Sequence, residues 1–270
     1  MFARFIRTKT MHFFVGALAL SLSACSDGDS PTGPDGDTAS SLVELGSLED
    51  QGVRVVLSGP ADIRSGYTPL EVKLIDAASG EELPAAALLV TPMMHMEDRS
   101  HSAPSESPAA VDDEAGVYSN PVVFVMPGTW EVNVNFSEGE GGREGSVAFA
   151  VEVGQGTNYA ALTGSNGTPY FVSMVSPADP IVGKQSLELT VHTRETMMYF
   201  PPVVDLQIEM EPSMPSMGHG SPDNEQPVHV HNGHYMGKVN LIMTGDWRIA
   251  VRLKDGDVLV AETSFDITVQ

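Results

Sequence analysis

The chain has 270 residues, one cysteine, and 36 acidic against 14 basic residues, for a formal charge of −22. A single cysteine excludes an intrachain disulfide, so the fold must stand on its core. The acidic balance repels nucleic acid and anionic lipid head groups and favours cations as partners, unless the scattered acids serve solubility alone.

The first 25 residues have the pattern of an export signal. Arg4, Arg7 and Lys9 form a positive start, and Met11 to Leu22 is an apolar run broken only by His12 and Ser21. That run is too short for a comfortable membrane span. Leu22-Ser23-Ala24-Cys25 follows and resembles the lipobox of bacterial lipoproteins. The resemblance implies cleavage after residue 24, acyl chains on Cys25, and an exported protein held to a membrane, facing the periplasm or the cell surface. Ser26 follows the cysteine instead of the Asp that retains enterobacterial lipoproteins at the inner membrane, which favours the outer membrane. An ordinary signal peptide with an incidental cysteine is the alternative. Residues 1–24 carry three basic residues and no acidic one, so their removal takes the formal charge from −22 to −25.

Residues 25–48 are rich in Gly, Pro, Ser and Asp. This composition predicts a flexible tether. Beyond it the chain repeats itself. Gly116-Val117-Tyr118 matches Gly233-His234-Tyr235, and Met126-Pro127-Gly128-Thr129-Trp130 matches Met243-Thr244-Gly245-Asp246-Trp247, both at an offset of 117. The shared offset predicts two copies of one domain, over 49–153 and 169–270, joined by a linker at 154–168.

Each copy shows the period of two that marks a half-buried strand. In the first, Trp130, Val132, Val134 and Phe136 alternate with polar residues, as do Val147, Phe149, Val151 and Val153. In the second, Leu187, Leu189 and Val191 do so, then Val204, Leu206, Ile208 and Met210, then Trp247, Ile249, Val251 and Leu253. About seven short strands per copy, broken by Gly and Pro, predict an all-β chain of two tandem immunoglobulin-like β-sandwich domains. The tryptophans are expected in the cores.

The stretch 210–236, MEPSMPSMGHGSPDNEQPVHVHNGHYM, gathers the side chains that bind soft metals. The candidate ligands are Met214, Met217, His219, His229, His231 and His234, no more than four at once. Thioethers suit Cu(I), imidazole accepts either oxidation state of copper, and thioethers need no deprotonation. His229 and His231, two apart, are expected on one face of a strand, with Asn232-Gly233 turning His234 back toward them. Met210 is expected in the core, and His192, Met126 and Met243 in structural roles. The first copy offers a second candidate set, Met93, Met94, His95, Met96 and His101. Aligning His101 with His219 places Pro104 opposite Pro222 and Met96 opposite Met214. The histidine cluster has no counterpart there, since Asp112, Glu114 and Val117 stand opposite His229, His231 and His234.

Met-Pro-Ser-Met-Gly-His at 214–219, Gly-x-Tyr at 233–235 and Met-Thr-Gly-Asp-Trp-Arg at 243–248 resemble the YtkA-like/FixH-like group of bacterial extracytoplasmic domains. The resemblance covers about 170–270 and, more loosely, 50–153. It implies small β-sandwiches in membrane-attached or secreted proteins, several linked by context to copper handling. No Gly-rich phosphate loop, His-Glu-x-x-His or Gly-x-Ser-x-Gly motif is present, so an enzyme is not expected. The leading expectation is a lipid-anchored copper-binding protein that buffers the ion or passes it to a partner. Two other readings stay open: zinc held by the three histidines, and an interaction module of an envelope complex that needs no metal.

Overall fold

The computed structural model describes residues 42–85, 87–111 and 114–270. Cys25, the signal segment and most of the tether lie outside the described residues.

Each copy is a sandwich of a five-stranded and a four-stranded antiparallel sheet. In the first copy the larger sheet runs in the order Val43–Asp50, Val53–Gly59, Glu71–Asp76, Val117–Ser119, Ala109–Ala110. The smaller runs Glu144–Val153, Gly128–Ser137, Ala87–His95, Ser100–Ser102. In the second copy the orders are Tyr159–Thr163, Pro169–Ser176, Gly183–Thr193, His234–Leu241, Glu225–His231, and Val258–Val269, Gly245–Asp255, Gln207–Met214, His219–Gly220. These two sheets coincide strand for strand between the copies, as a duplicated domain requires; the first copy adds a two-stranded ladder of Gly66–Thr68 and Val122–Phe124. Among the described residues there is no helix.

The alternation seen in the sequence becomes burial. Trp130, Val132 and Val134 face Val53, Val55, Leu57 and Val72 in the first core. Trp247, Ile249, Val251 and Leu253 face Leu187, Leu189, Val191 and Leu241 in the second, with Met210 among them. Three expectations need adjusting. Residues 43–48, assigned to the tether, belong to the first strand, because Val43–Asp50 pairs along Val53–Gly59. Residues 159–163, assigned to the linker, form an edge strand of the second sandwich. Val204 is exposed and Leu206 only partly buried, since the strand begins at Gln207.

The sandwiches pack against each other. Phe171 and Phe200 of the second, edge to face at 5.5 Å, join the apolar cluster of the first. The Tyr159 hydroxyl donates to the Val125 carbonyl at 2.8 Å, and the Ser102 amide donates to the Met197 carbonyl at 2.9 Å.

Candidate metal centre

A methionine and a histidine stand opposite each other on a β-hairpin in each sandwich. Met94 pairs with His101, and Met214 with His219. Residues directly opposite in an antiparallel pair share a face of the sheet, and here that face is the core side. Met94 is 5% and Met214 2% exposed. His101 lies edge to face on Trp130 at 5.1 Å, and His219 on Trp247 at 5.8 Å. Each tryptophan is anchored by its indole N–H, which donates at 3.0 Å to the carbonyl of Met126 or Met243. The structural role expected of those two methionines is thus carried by their backbone.

Two glycines complete the match. A Cβ on Gly128 would lie 3.0 Å from Met94 Cε, and one on Gly245 would lie 3.1 Å from Met214 Cε. The structural counterpart of Met214 is therefore Met94, not Met96. His101 follows Met94 by seven positions where His219 follows Met214 by five, so the longer turn displaces the alignment by two positions.

The histidines are set for a ligand. The Nδ1 of His101 is 2.8 Å from the Ser102 carbonyl, and the Nδ1 of His219 is 2.9 Å from the Gly220 carbonyl. A carbonyl can only accept, so in the neutral ring the proton sits on Nδ1 and Nε2 presents its lone pair. The Nε2 of His101 is buried with no hydrogen-bond partner. A thioether, an unprotonated imidazole nitrogen and an indole ring thus recur as a group in both copies. These neutral donors fit a soft monovalent cation.

The other candidates are dispersed. Met217 stands at the tip of the second hairpin and is 61% exposed. In the first hairpin, Met93 is only partly buried beside Met94, His95 is exposed with Nδ1 2.9 Å from the Ser100 hydroxyl, and Met96 is exposed in the turn. His229 and His231 are both exposed, but the strand register shifts between them. His229 packs on Tyr235 at 5.4 Å, whereas His231 stacks on His234 at 4.6 Å. The turn thus returns His234 to His231 alone. His234 is 3% exposed, with Nδ1 2.6 Å from Glu188 and Nε2 3.0 Å from Glu106. Among the described residues, no three His, Cys, Asp or Glu side chains form a group able to hold a metal ion.

His234 lies at the centre of an interdomain cluster that nothing in the sequence foretold. Burial by itself lowers its pKa, but hydrogen bonds to Glu106 and Glu188, with the charge of both, raise it to about 9. Tyr67 of the first sandwich meets its ring edge to face at 5.6 Å. Nearby His192 is buried, and burial lowers its pKa to about 4. Glu106 and Glu188 sit 82 residues apart, and neither belongs to a motif.

A family model described as YtkA-like matches residues 47–135 and 165–252. No curated protein matches the chain. Among solved structures, the Escherichia coli adhesin FdeC aligns at 18% identity and a TM-score of 0.28, over 83% of this chain and 66% of that one. Domains 5–6 of the S-layer protein SbsC align at 14% identity and a TM-score of 0.31, over 85% and 98%. InvD of Yersinia pseudotuberculosis aligns at 16% identity and a TM-score of 0.27, over 82% and 58%.

Proposed function

The chain belongs to the YtkA-like family in two tandem regions, and from that premise we propose that it is an exported, lipid-anchored protein that binds Cu(I) at its Met–His pairs, to buffer the ion or hand it on. One observation carries the reading: in both sandwiches a thioether faces a histidine whose Nδ1–H is already engaged by a carbonyl. Such a pair offers sulfur and a nitrogen lone pair with no proton to displace. Soft ligands of this kind select Cu(I) over zinc. In the second sandwich Met214 and His219 are the inner ligands, and exposed Met217 can close over the ion from the hairpin tip. The absence of a free thiol beyond Cys25 makes Met and His the soft donors available.

A cuprous titration against a competing chelator tests this. The expected result is tight binding at both pairs, with His219→Ala weakening the second at least tenfold and leaving the first. Equal affinity in the variant would remove the second sandwich from the proposal. Radiolabelled palmitate on the wild type but not on Cys25→Ser would support the anchor.

The zinc reading has less support, because His234 has carboxylates on both ring nitrogens. The interaction-module reading has its own observation. Val228 and Val230 are exposed on the edge strand Glu225–His231, an arrangement open to strand pairing with a partner. Pull-down of the same partner with and without chelator would favour it.

A further inference from the structure

The two Met–His pairs differ in what covers them. His219 is partly exposed, whereas His101 is 4% exposed. The first pair lies where the second sandwich packs on the first. The turn at 196–199 sits against its hairpin, with the Met197 carbonyl accepting from the amide of Ser102, the residue after His101, at 2.9 Å. Phe200, just beyond the turn, enters the same apolar cluster as Met94. The result is an imidazole nitrogen shut away from water with no donor facing it. A buried acceptor left in that state is costly unless something binds it.

We propose that the first Met–His pair is an interdomain Cu(I) site, in which Met197 of the second sandwich supplies a second thioether beside Met94 and His101. This rests on the cuprous reading above. Two observations and the flexibility of methionine bring the residues together. The hydrogen bond from Ser102 ties the Met197 backbone to the hairpin. The Met197 side chain is partly buried, while its neighbour Met198 is 54% exposed. A methionine has three rotatable bonds and adapts to irregular space, so a thioether tethered this close can swing to Nε2 of His101. Two thioethers and one neutral imidazole bring no charge of their own. They would leave the site with the single charge of Cu(I), the least demanding charge for an apolar setting. A doubly charged ion would be far less welcome there. Unlike the second pair, this site exists only while the two sandwiches are docked.

The test uses the whole protein, titrated with Cu(I) against a competing chelator, with X-ray absorption to count sulfurs around copper. The wild type is expected to take two ions. His219→Ala should take one, and in that variant the ion should show two sulfurs and one nitrogen. Met197→Leu keeps the volume and removes the sulfur. In the His219→Ala background it should weaken binding at least tenfold and leave one sulfur, whereas Met198→Leu should change neither. A single sulfur in the His219→Ala protein, or unchanged affinity on adding Met197→Leu, would overturn the interdomain site while leaving the cuprous reading intact. A wild type that takes no Cu(I) at all would instead overturn that reading.

Discussion

The imidazole of His234 in the second sandwich reaches Glu106 of the first through Nε2 at 3.0 Å, while its Nδ1 holds Glu188 of its own sheet at 2.6 Å. Two acceptors on two ring nitrogens call for two N–H donors, so the ring is a protonated imidazolium and the contact is an ion pair across the interface. His231, His192 and Tyr67 are the other titratable groups around it.

This pair sets a pH dependence. The pKa of His234 is raised to about 9 from an ordinary 6.5. Its contribution is therefore complete below the ordinary value and is lost as pH rises through about 9. Burial pushes the Glu106 carboxyl up, but the bond and charge of His234 outweigh it and hold the pKa below the usual range. Its share is present above that range and is lost in acid. The interface should be tightest between the carboxylate range and about pH 6.5, and should weaken from there to about pH 9. Thermal unfolding across that range should show wild-type stability falling on the alkaline side. Glu106→Gln should flatten that fall and cost about 2–3 kcal/mol at neutral pH, toward the low end for a buried pair because Glu106 keeps some solvent. An unchanged alkaline limb in the variant would show that the pair does not contribute.

Gly128 and Gly245 should tolerate no side chain. Both have strongly positive φ, at 132° and 122°. Alanine there costs about 1–3 kcal/mol of backbone strain, and its Cβ would press on the Cε of Met94 or Met214. Gly245→Ala is expected to lower stability by that amount in chemical denaturation. It should also weaken Cu(I) binding at the second hairpin by displacing the thioether. Wild-type affinity in a folded Gly245→Ala protein would mean that Met214 is not a ligand.

Exposed Met217 and the histidines at 229 and 231 should separate under mutation. Met217→Leu is expected to weaken cuprous binding roughly tenfold, about 1.4 kcal/mol, with no change in melting temperature. A His229→Ala, His231→Ala double variant should bind Cu(I) within about twofold of wild type. Competition titrations on the two proteins check both. Loss in the histidine variant with none in Met217→Leu would reverse the ligand assignment.

The cores were legible because a buried strand writes itself as alternation. Trp130 to Phe136 and Trp247 to Leu253 needed nothing more. The duplication was legible for a related reason: each Gly-x-Trp turn is held by a backbone bond to the indole, which constrains a short local string. The Met–His pairs were only half legible. Met214 and His219 stood out by composition, but the register that pairs Met94 with His101 depends on a hairpin two residues longer than its twin. The position of Val204 ahead of its strand is likewise a matter of where pairing begins, which alternation cannot report. Glu106, Glu188 and Met197 were invisible, because each acquires its role from a residue more than 40 positions away. No local pattern encodes a contact of that range.

The burial of the two inner methionines has a consequence for damage by oxidants. Sulfoxidation follows exposure, and Met94 and Met214 are sealed in their cores while Met217 and Met198 stand in solvent. Peroxide would convert the outer sulfurs first, turning soft donors into polar sulfoxides that reductases can restore. The hairpins would keep their inner thioether and their histidine through that cycle, with the frame of each site intact for repair.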